Sequence, residues 1–321
     1  MILRGTALVL LASFLLQPAS SDAAHSESTA SLVQGSAAES QELATRLSTV
    51  AHRILVSNAQ FCGQDSVEVL GMDISGGDPH GIYGWTDSDE DEFPTVVSVT
   101  PGAPAAESGI RVGDRITEIN GEQPSPGISA FQLFSHWLSD RQGGPVALSI
   151  DRDGVDKRIS VHPELACSYG VVLSDQDDVN ALSQGHRAFV TAGMVRWLAK
   201  DDDLAVVVGH EIGHIAAGHT TNRPYGSMHG DVEPEADYLG VYFAARAGYD
   251  VSGAAEVLQR LVNLKQGEYG RRGHGVDIAE RLQAIDAAVS EIRRAHAAGN
   301  DPLPSAERLS SHDWLMDSSS N

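Results

Sequence analysis

Two hydrophobic rhythms alternate along this chain. From residue 40 to 58, Leu43, Leu47, Val50, Ala51, Ile54 and Leu55 recur three or four positions apart, which predicts a helix with one apolar face. Ahead of it, residues 24–39 are rich in Ser and Ala and are expected to form a flexible leader. From Val67 to Val161 the pattern breaks into short apolar runs punctuated by Gly, Pro and Asp. Strands are predicted at 95–99, 115–119, 146–151 and 158–161, helices at 103–108 and 130–138, and a tight hairpin turn at Asn120-Gly121. Beyond Tyr169, strands are expected at 171–173, 179–181 and 188–190, around Gln184-Gly185-His186. Helices are expected at 192–200, 204–217, 233–247, 252–265 and 276–298, with Ser252 capping the fourth.

This pattern predicts an α+β protein in several pieces. A β-rich module over 66–163 is inserted between the helix of 40–62 and a mainly helical domain with a small sheet over 167–299. The tail, 300–321, ends in Ser-Ser-Ser-Asn and is expected to be mobile.

Charge narrows the possible partners. Lys+Arg 22 against Asp+Glu 44 gives a net charge of −22 over 321 residues, which argues against nucleic acid or an anionic membrane surface as a partner, and no nucleic acid is expected. Residues 1–23 read as a secretory signal, with Arg4, an apolar core from Ala7 to Leu16 and a small-residue cleavage region at Ser21-Asp22-Ala23. That core is short of the roughly 20 residues needed to span a bilayer. The expectation is a periplasmic or secreted protein without a stable membrane anchor after signal cleavage. In such an oxidising compartment the pair Cys62 and Cys167, flanking the inserted module, is expected to form a disulfide. Two buried free thiols are the other reading.

The chemistry concentrates in LAVVVGHEIGHIAA, which follows Asp201, Asp202 and Asp203. On a helix, His210 and His214 stand one turn apart on one face, where two imidazoles can share a zinc ion with Glu211 within reach. An ordinary helix with partly buried histidines is the plainer alternative. A metzincin would continue with Gly at 217 and His at 220, but Ala217 and Thr220 stand there, leaving His219 to cap or pack at the helix end. In EPEADYLG, Glu233 and Asp237 share a face while Glu235 points elsewhere, so Glu233 can complete a two-His, one-Glu site. Asp237 can then fix the tautomer of a liganding histidine. The acidic run from Asp87 to Glu92 reads as a solvated loop, and His229 as a loop histidine.

Two families are resembled. PTVVSVTPGAPAAESGIRVGDRITEINGEQP, Pro94 to Pro124, resembles a PDZ domain of the bacterial exported-protease type. That likeness implies capture of peptides, often exposed C-termini, beside a carboxylate-binding loop. Leu70, Gly71 and Met72 are the candidate loop, with Gly81-Ile82-Tyr83-Gly84 competing for the role. HEIGHIAAGH followed by EPEADYLG resembles gluzincin peptidases of the CAAX prenyl protease and HtpX type. By that resemblance His210, His214 and Glu233 bind one Zn2+, Glu211 is the catalytic base and Asp237 supports a ligand. The family's His-Pro motif followed by Arg corresponds to Gly273-His274-Gly275-Val276 and Arg281, with Gly in place of Pro and a longer gap. His274 is thereby a candidate transition-state donor. Arg281 is an oxyanion candidate, with a structural salt bridge as its other reading.

The expected function is that of an exported zinc metalloendopeptidase acting on protein or peptide substrates, with the PDZ module for capture or regulation, in envelope quality control. The substrate is expected to pair with the strand at Ala188–Val190 or its partner near Asn180. A PDZ-based binding protein or chaperone with a silent peptidase domain is the competing reading.

Overall fold

The computed structural model describes residues 22–62, 65–74, 93–123, 144–220, 232–272 and 278–305. The chain divides into two compact units, Met1–Glu39 and Ser40–Asn321. Helix α1 is Asp22–Ser57, so the stretch expected to be a flexible leader is helical instead. Its alanines have the strongest helix propensity, and no proline interrupts the sequence there.

Two hydrophobic cores lie among the described residues of the unit Ser40–Asn321. The larger takes in Leu43, Leu47, Val50, Ile54 and Leu55 of α1 together with the elements that follow residue 166. The smaller is built from Leu70, Val96, Ala105, Ile110, Ile116, Ile119, Val146, Leu148, Ile150 and Val161. Around this smaller core run β2 (Met72–Ile74) and β3 (Val96–Val99), paired antiparallel, and the sheet β4-β5-β6 of Arg115–Ile119, Val146–Arg152 and Val155–Val161. Along β5, Val146, Leu148 and Ile150 are buried and alternate with more exposed neighbours, the period-two pattern of a strand with one face on a core. Helix α2 is the single turn Pro104–Glu107. Asn120 (φ 52°) and Gly121 (φ 86°) make the tight turn that the sequence signals, and Asn120 Oδ1 accepts from Ala147 N at 2.9 Å. The helix expected at 130–138, the loop Gly81-Ile82-Tyr83-Gly84 and the acidic run 87–92 lie outside the described residues.

The inserted module leaves and returns through one ribbon. β1 (Ser66–Val69) pairs antiparallel with β7 (Glu164–Cys167), Ser66 opposite Cys167. The Cys62–Cys167 disulfide closes its base, with Cα atoms 5.5 Å apart.

A second small sheet is ordered β8-β10-β9, from Gly170–Ser174, Arg187–Thr191 and Ala181–Gln184. β8 is parallel and β9 antiparallel to the central β10. The turn at Gly185 (φ 57°) and His186 sets Arg187 opposite Gln184, so β9 runs 181–184 and not 179–181 as expected. Helix α3, Ala192–Trp197, is capped by Thr191, whose side chain accepts from Met194 N. Then come α4 (Asp201–Ala216), α5 (Glu233–Arg246), α6 (Ala254–Arg272) and α7 (Ile278–Ala297). Ser252 does not cap α6: it lies two residues ahead of Ala254, and its backbone N–H donates to Asp250 Oδ1. The start of the tail is docked where mobility was expected. Pro302 and Pro304 are buried, Arg246 Nη1 donates to Pro302 O, and Ser305 N donates to Tyr238 Oη. Among the described residues, no helix is long and apolar enough to cross a membrane.

Candidate metal centre

The three aspartates opening α4 complement the positive end of its dipole, and each has a partner. Asp201 takes Arg46 Nε at 2.6 Å, Asp203 takes Arg260 Nη1 at 2.8 Å, and Asp202 accepts from Asp250 N at 2.9 Å. Further along, α4 carries glycines where α5 crosses it. A Cβ on Gly240 would lie 2.5 Å from His210 N, and one on Gly213 would lie 2.7 Å from Ala236 O. Gly209 likewise abuts the carbonyl of Gly240. Three glycines inside helices cost about 1 kcal/mol each in propensity. In return the two backbones touch, and the first turn of α5 is brought beside the histidines of α4.

That crossing assembles His210, His214 and Glu233, whose candidate donor atoms all lie within 4.8 Å of one another. His210 Nε2 is 3.2 Å from His214 Nε2, while Glu233 oxygens stand 3.6 Å from the first and 3.4 Å from the second. A tetrahedral zinc with bonds of about 2.0–2.2 Å spaces its donors roughly 3.3–3.6 Å apart. The residues present therefore fit the ion, and the two imidazole rings meet nearly at right angles, 89°, as donors converging on one point do. Glu211, on the same helix between the histidines, is buried.

Behind the donors stands a layer of charge. His210 Nδ1 lies 2.8 Å from Asp237 Oδ1. Arg281, reaching over from α7, donates to both Asp237 oxygens at 2.6 and 2.8 Å and stands 2.9 Å from Glu233 Oε2. Its Nε, Nη1 and Nη2 thus all face carboxylates of the centre. That arrangement is the salt-bridge reading of Arg281, joining Glu233 to the carboxylate that stands against His210.

Burial raises the carboxyl of Asp237, but His210 and Arg281 more than offset it and hold it below the ordinary range. Glu233 follows the same balance, with burial opposed by His214, His210 and Arg281, and is held far below the usual carboxylate range. Burial also pushes the His214 imidazole down, helped by His210. For His210 the burial effect is outweighed by Asp237 and Glu233, and its pKa is raised.

His219 and Glu235 belong to this assembly, which the sequence pattern did not disclose. Helix α4 ends in a Schellman motif: Gly218 (φ 71°) donates to Ile215 O and His219 N donates to His214 O. The reversal folds His219 back along the helix. Its Nδ1 lies 3.0 Å from His214 Nδ1 and its Nε2 3.2 Å from Glu235 Oε2, with the ring buried. Glu235 does point away from the donor trio, as the helical spacing implied, and what it meets there is His219. Thr220 Oγ1 then donates to Gly185 O at 2.7 Å, tying the end of α4 to the β9–β10 turn.

Of the two strands expected to receive substrate, β10 is paired on both sides. Of those two, β9 is the edge strand among the described residues, so Ala188–Val190 is corrected to a central strand with both sides paired. In the smaller module, Gly71 (φ 70°) turns the chain between β1 and β2. There Leu70 O accepts from Ala105 N and Gly71 O from Thr100 N, both at 2.9 Å. His229 and His274 lie outside the described residues.

Two stretches of the chain are similar to known families. Residues 157–230 match the model of peptidase family M48, and residues 95–134 match a PDZ domain. A protein of Agrobacterium fabrum named "Putative zinc metalloprotease Atu1380" is 27% identical over 161 residues, 47% of this chain and 38% of that protein. One of Brucella suis biovar 1, "Putative zinc metalloprotease BR1156/BS1330_I1152", is 36% identical over 61 residues, 19% of this chain and 15% of the relative. The chain therefore spans well under half the length of these relatives. Among solved structures, the HtrA3 PDZ domain with a phage-derived ligand is 21% identical, covering 32% of this chain and 88% of that one at a TM-score of 0.24. The HtrA-type protease AlgW with a decapeptide is 20% identical, covering 31% of this chain and 30% of its own at 0.24. The chain thus carries a stretch similar to a PDZ domain followed by one similar to peptidase family M48, and the second contains His210, Glu211 and His214.

Proposed function

We propose that this protein is a zinc-dependent endopeptidase that hydrolyses peptide bonds of protein substrates. The observation that carries the reading is the spacing of His210, His214 and Glu233 donor atoms at 3.2–3.6 Å, matched to one tetrahedral ion, with Glu211 beside them. Zinc, when bound there, supplies a Lewis acid for the scissile carbonyl and lowers the pKa of water to about 7. Glu211 takes the proton of the attacking water on its carboxylate and delivers it to the departing amine nitrogen. The open edge of β9, tied to α4 through Thr220, holds the substrate backbone extended beside the site. His274 has, by resemblance, the role of hydrogen-bond donor to the oxyanion.

The PDZ domain captures or regulates substrates, with Leu70-Gly71-Met72 receiving an exposed C-terminus. The apolar run after Arg4 and the Cys62–Cys167 disulfide support an exported protein working in an oxidising compartment, where the task is envelope quality control.

The test compares wild type with Glu211→Gln for zinc content by mass spectrometry and for casein degradation. Both proteins are expected to hold one zinc, and the variant to lose about 10²- to 10⁴-fold in rate. Equal cleavage by a zinc-loaded Glu211→Gln protein removes Glu211 from the mechanism, and a wild type without zinc removes the reading altogether.

A further inference from the structure

We infer that His219 and Glu235 form a positioning relay that fixes the tautomer of His214 and so sets the strength of the metal site. The inference rests on the zinc peptidase reading above and deepens it. Hydrogen-bond polarity carries it. His214 faces His210 and Glu233 through Nε2, so a metal at their centre requires the Nε2 lone pair and leaves the ring proton on Nδ1. The partner of Nδ1 is His219 Nδ1, 3.0 Å away, and two ring nitrogens can bond only if one donates and the other accepts. His219 must accept there, which puts its own proton on Nε2. That nitrogen faces Glu235 Oε2 at 3.2 Å, and the carboxylate can only accept.

Each link thus has one donor and one acceptor, and the direction is set at the far end by Glu235. The reverse arrangement would aim an N–H of His214 at His210 and Glu233, where the ion would sit. Both histidines are therefore backed by a carboxylate, by different routes. His210 meets Asp237 at 2.8 Å, and Asp237 is itself held by Arg281. His214 reaches Glu235 only through a second ring. The placement depends on the Schellman reversal at Gly218, which sets His219 back over His214, and on α5, which presents Glu233 to the donors and Glu235 to the relay.

Zinc affinity by chelator competition, the d–d spectrum of the Co(II)-substituted full-length protein and the melting temperature of the metal-free protein test the relay. His219→Phe removes the acceptor, and zinc affinity is expected to fall about 10- to 100-fold with a changed Co(II) spectrum. His219→Asn places Oδ1 near the position of Nδ1 and keeps an acceptor, so it is expected to stay within a few-fold of wild type. Glu235→Gln removes the one-way acceptor and is expected to fall between the two. Wild-type zinc affinity and Co(II) spectrum in His219→Phe overturn the relay, as does a loss in His219→Asn equal to that in His219→Phe. If His219→Phe does not fold, the decision passes to Glu235→Gln, where unchanged affinity overturns the relay and weakened affinity at an unchanged metal-free melting temperature upholds it. A wild type that binds neither zinc nor Co(II) sinks the peptidase reading instead, so the two failures are distinguishable.

Discussion

Arg281 grips Asp237 with two hydrogen bonds, Nε to Oδ2 at 2.6 Å and Nη2 to Oδ1 at 2.8 Å, across 44 residues of sequence. Such a bidentate fork fixes the plane of the carboxylate as well as its charge. Asp237 in turn stands against His210, and the third guanidinium nitrogen stands against Glu233. One side chain of α7 therefore orients both Asp237 and Glu233.

Arg281→Lys should expose that role, because an ammonium keeps the charge and loses the fork. Zinc affinity is expected to drop by about tenfold, and by more in Arg281→Met, since support of a ligand is worth about 10- to 100-fold. Chelator competition measures both. Wild-type affinity in Arg281→Met would show that the clamp has no part in holding the metal.

The helix crossing is testable through a methyl group. Gly240→Ala would put a Cβ 2.5 Å from His210 N, a backbone atom that cannot swing aside. We expect a loss of about 1–3 kcal/mol in stability from overpacking, together with weaker zinc binding as α5 is pushed off α4. Gly253→Ala is the control: a Cβ there meets nothing within 4 Å, and stability should change by less than about 1 kcal/mol. Urea unfolding of the metal-free proteins, with zinc titration alongside, reads both effects.

The neck of the inserted domain should depend on its disulfide. Cys62 and Cys167 are 105 residues apart, and closing a loop of that size is worth about 4.7 kcal/mol in the chain-entropy model. The double variant Cys62→Ser, Cys167→Ser is expected to lose roughly 2–5 kcal/mol on urea unfolding. Alkylation of the unreduced, unfolded protein should leave its mass unchanged. Two alkylated thiols would refute the bridge.

Asp73 gives a pH dependence with a definite sign. It lies on β2 opposite Ser98, its buried Oδ1 has no hydrogen-bond partner among the described residues, and burial pushes its carboxyl up to about 7 from an ordinary 3.8, against an opposing bond from Ser98. Between 3.8 and about 7 the unfolded chain has released this proton while the folded one keeps it. Stability from this group therefore falls as pH rises through that window and is flat above it. Asp73→Asn should remove the slope, raising the melting temperature at pH 8 by roughly 2–4 °C per kcal/mol recovered and leaving it near wild type at pH 4. The same slope in both proteins would assign it to another group.

Local pattern carried much of this protein. The period-two run Val146, Leu148, Ile150 marked a strand, Asn120-Gly121 marked the turn after β4, and the one-turn spacings of His210 with His214 and of Glu233 with Asp237 marked two helix faces. These are properties of neighbours a few residues apart, and the α+β class follows from them. The pairing of Cys62 with Cys167 was legible because only two cysteines exist.

What the tertiary structure alone decided involves partners brought together by packing. The glycine contacts that let α4 and α5 touch look, in sequence, like weak points in two helices. Arg281 belongs to the centre because α7 packs on α5, and β10 is closed to a further strand because β8 and β9 pair it from either side. His219 meets both His214 and Glu235 because a left-handed glycine reverses the chain and a second helix supplies the carboxylate. Helical periodicity places a side chain on a face; it does not say what the fold sets opposite that face, and for this metal centre the opposite faces hold half the chemistry.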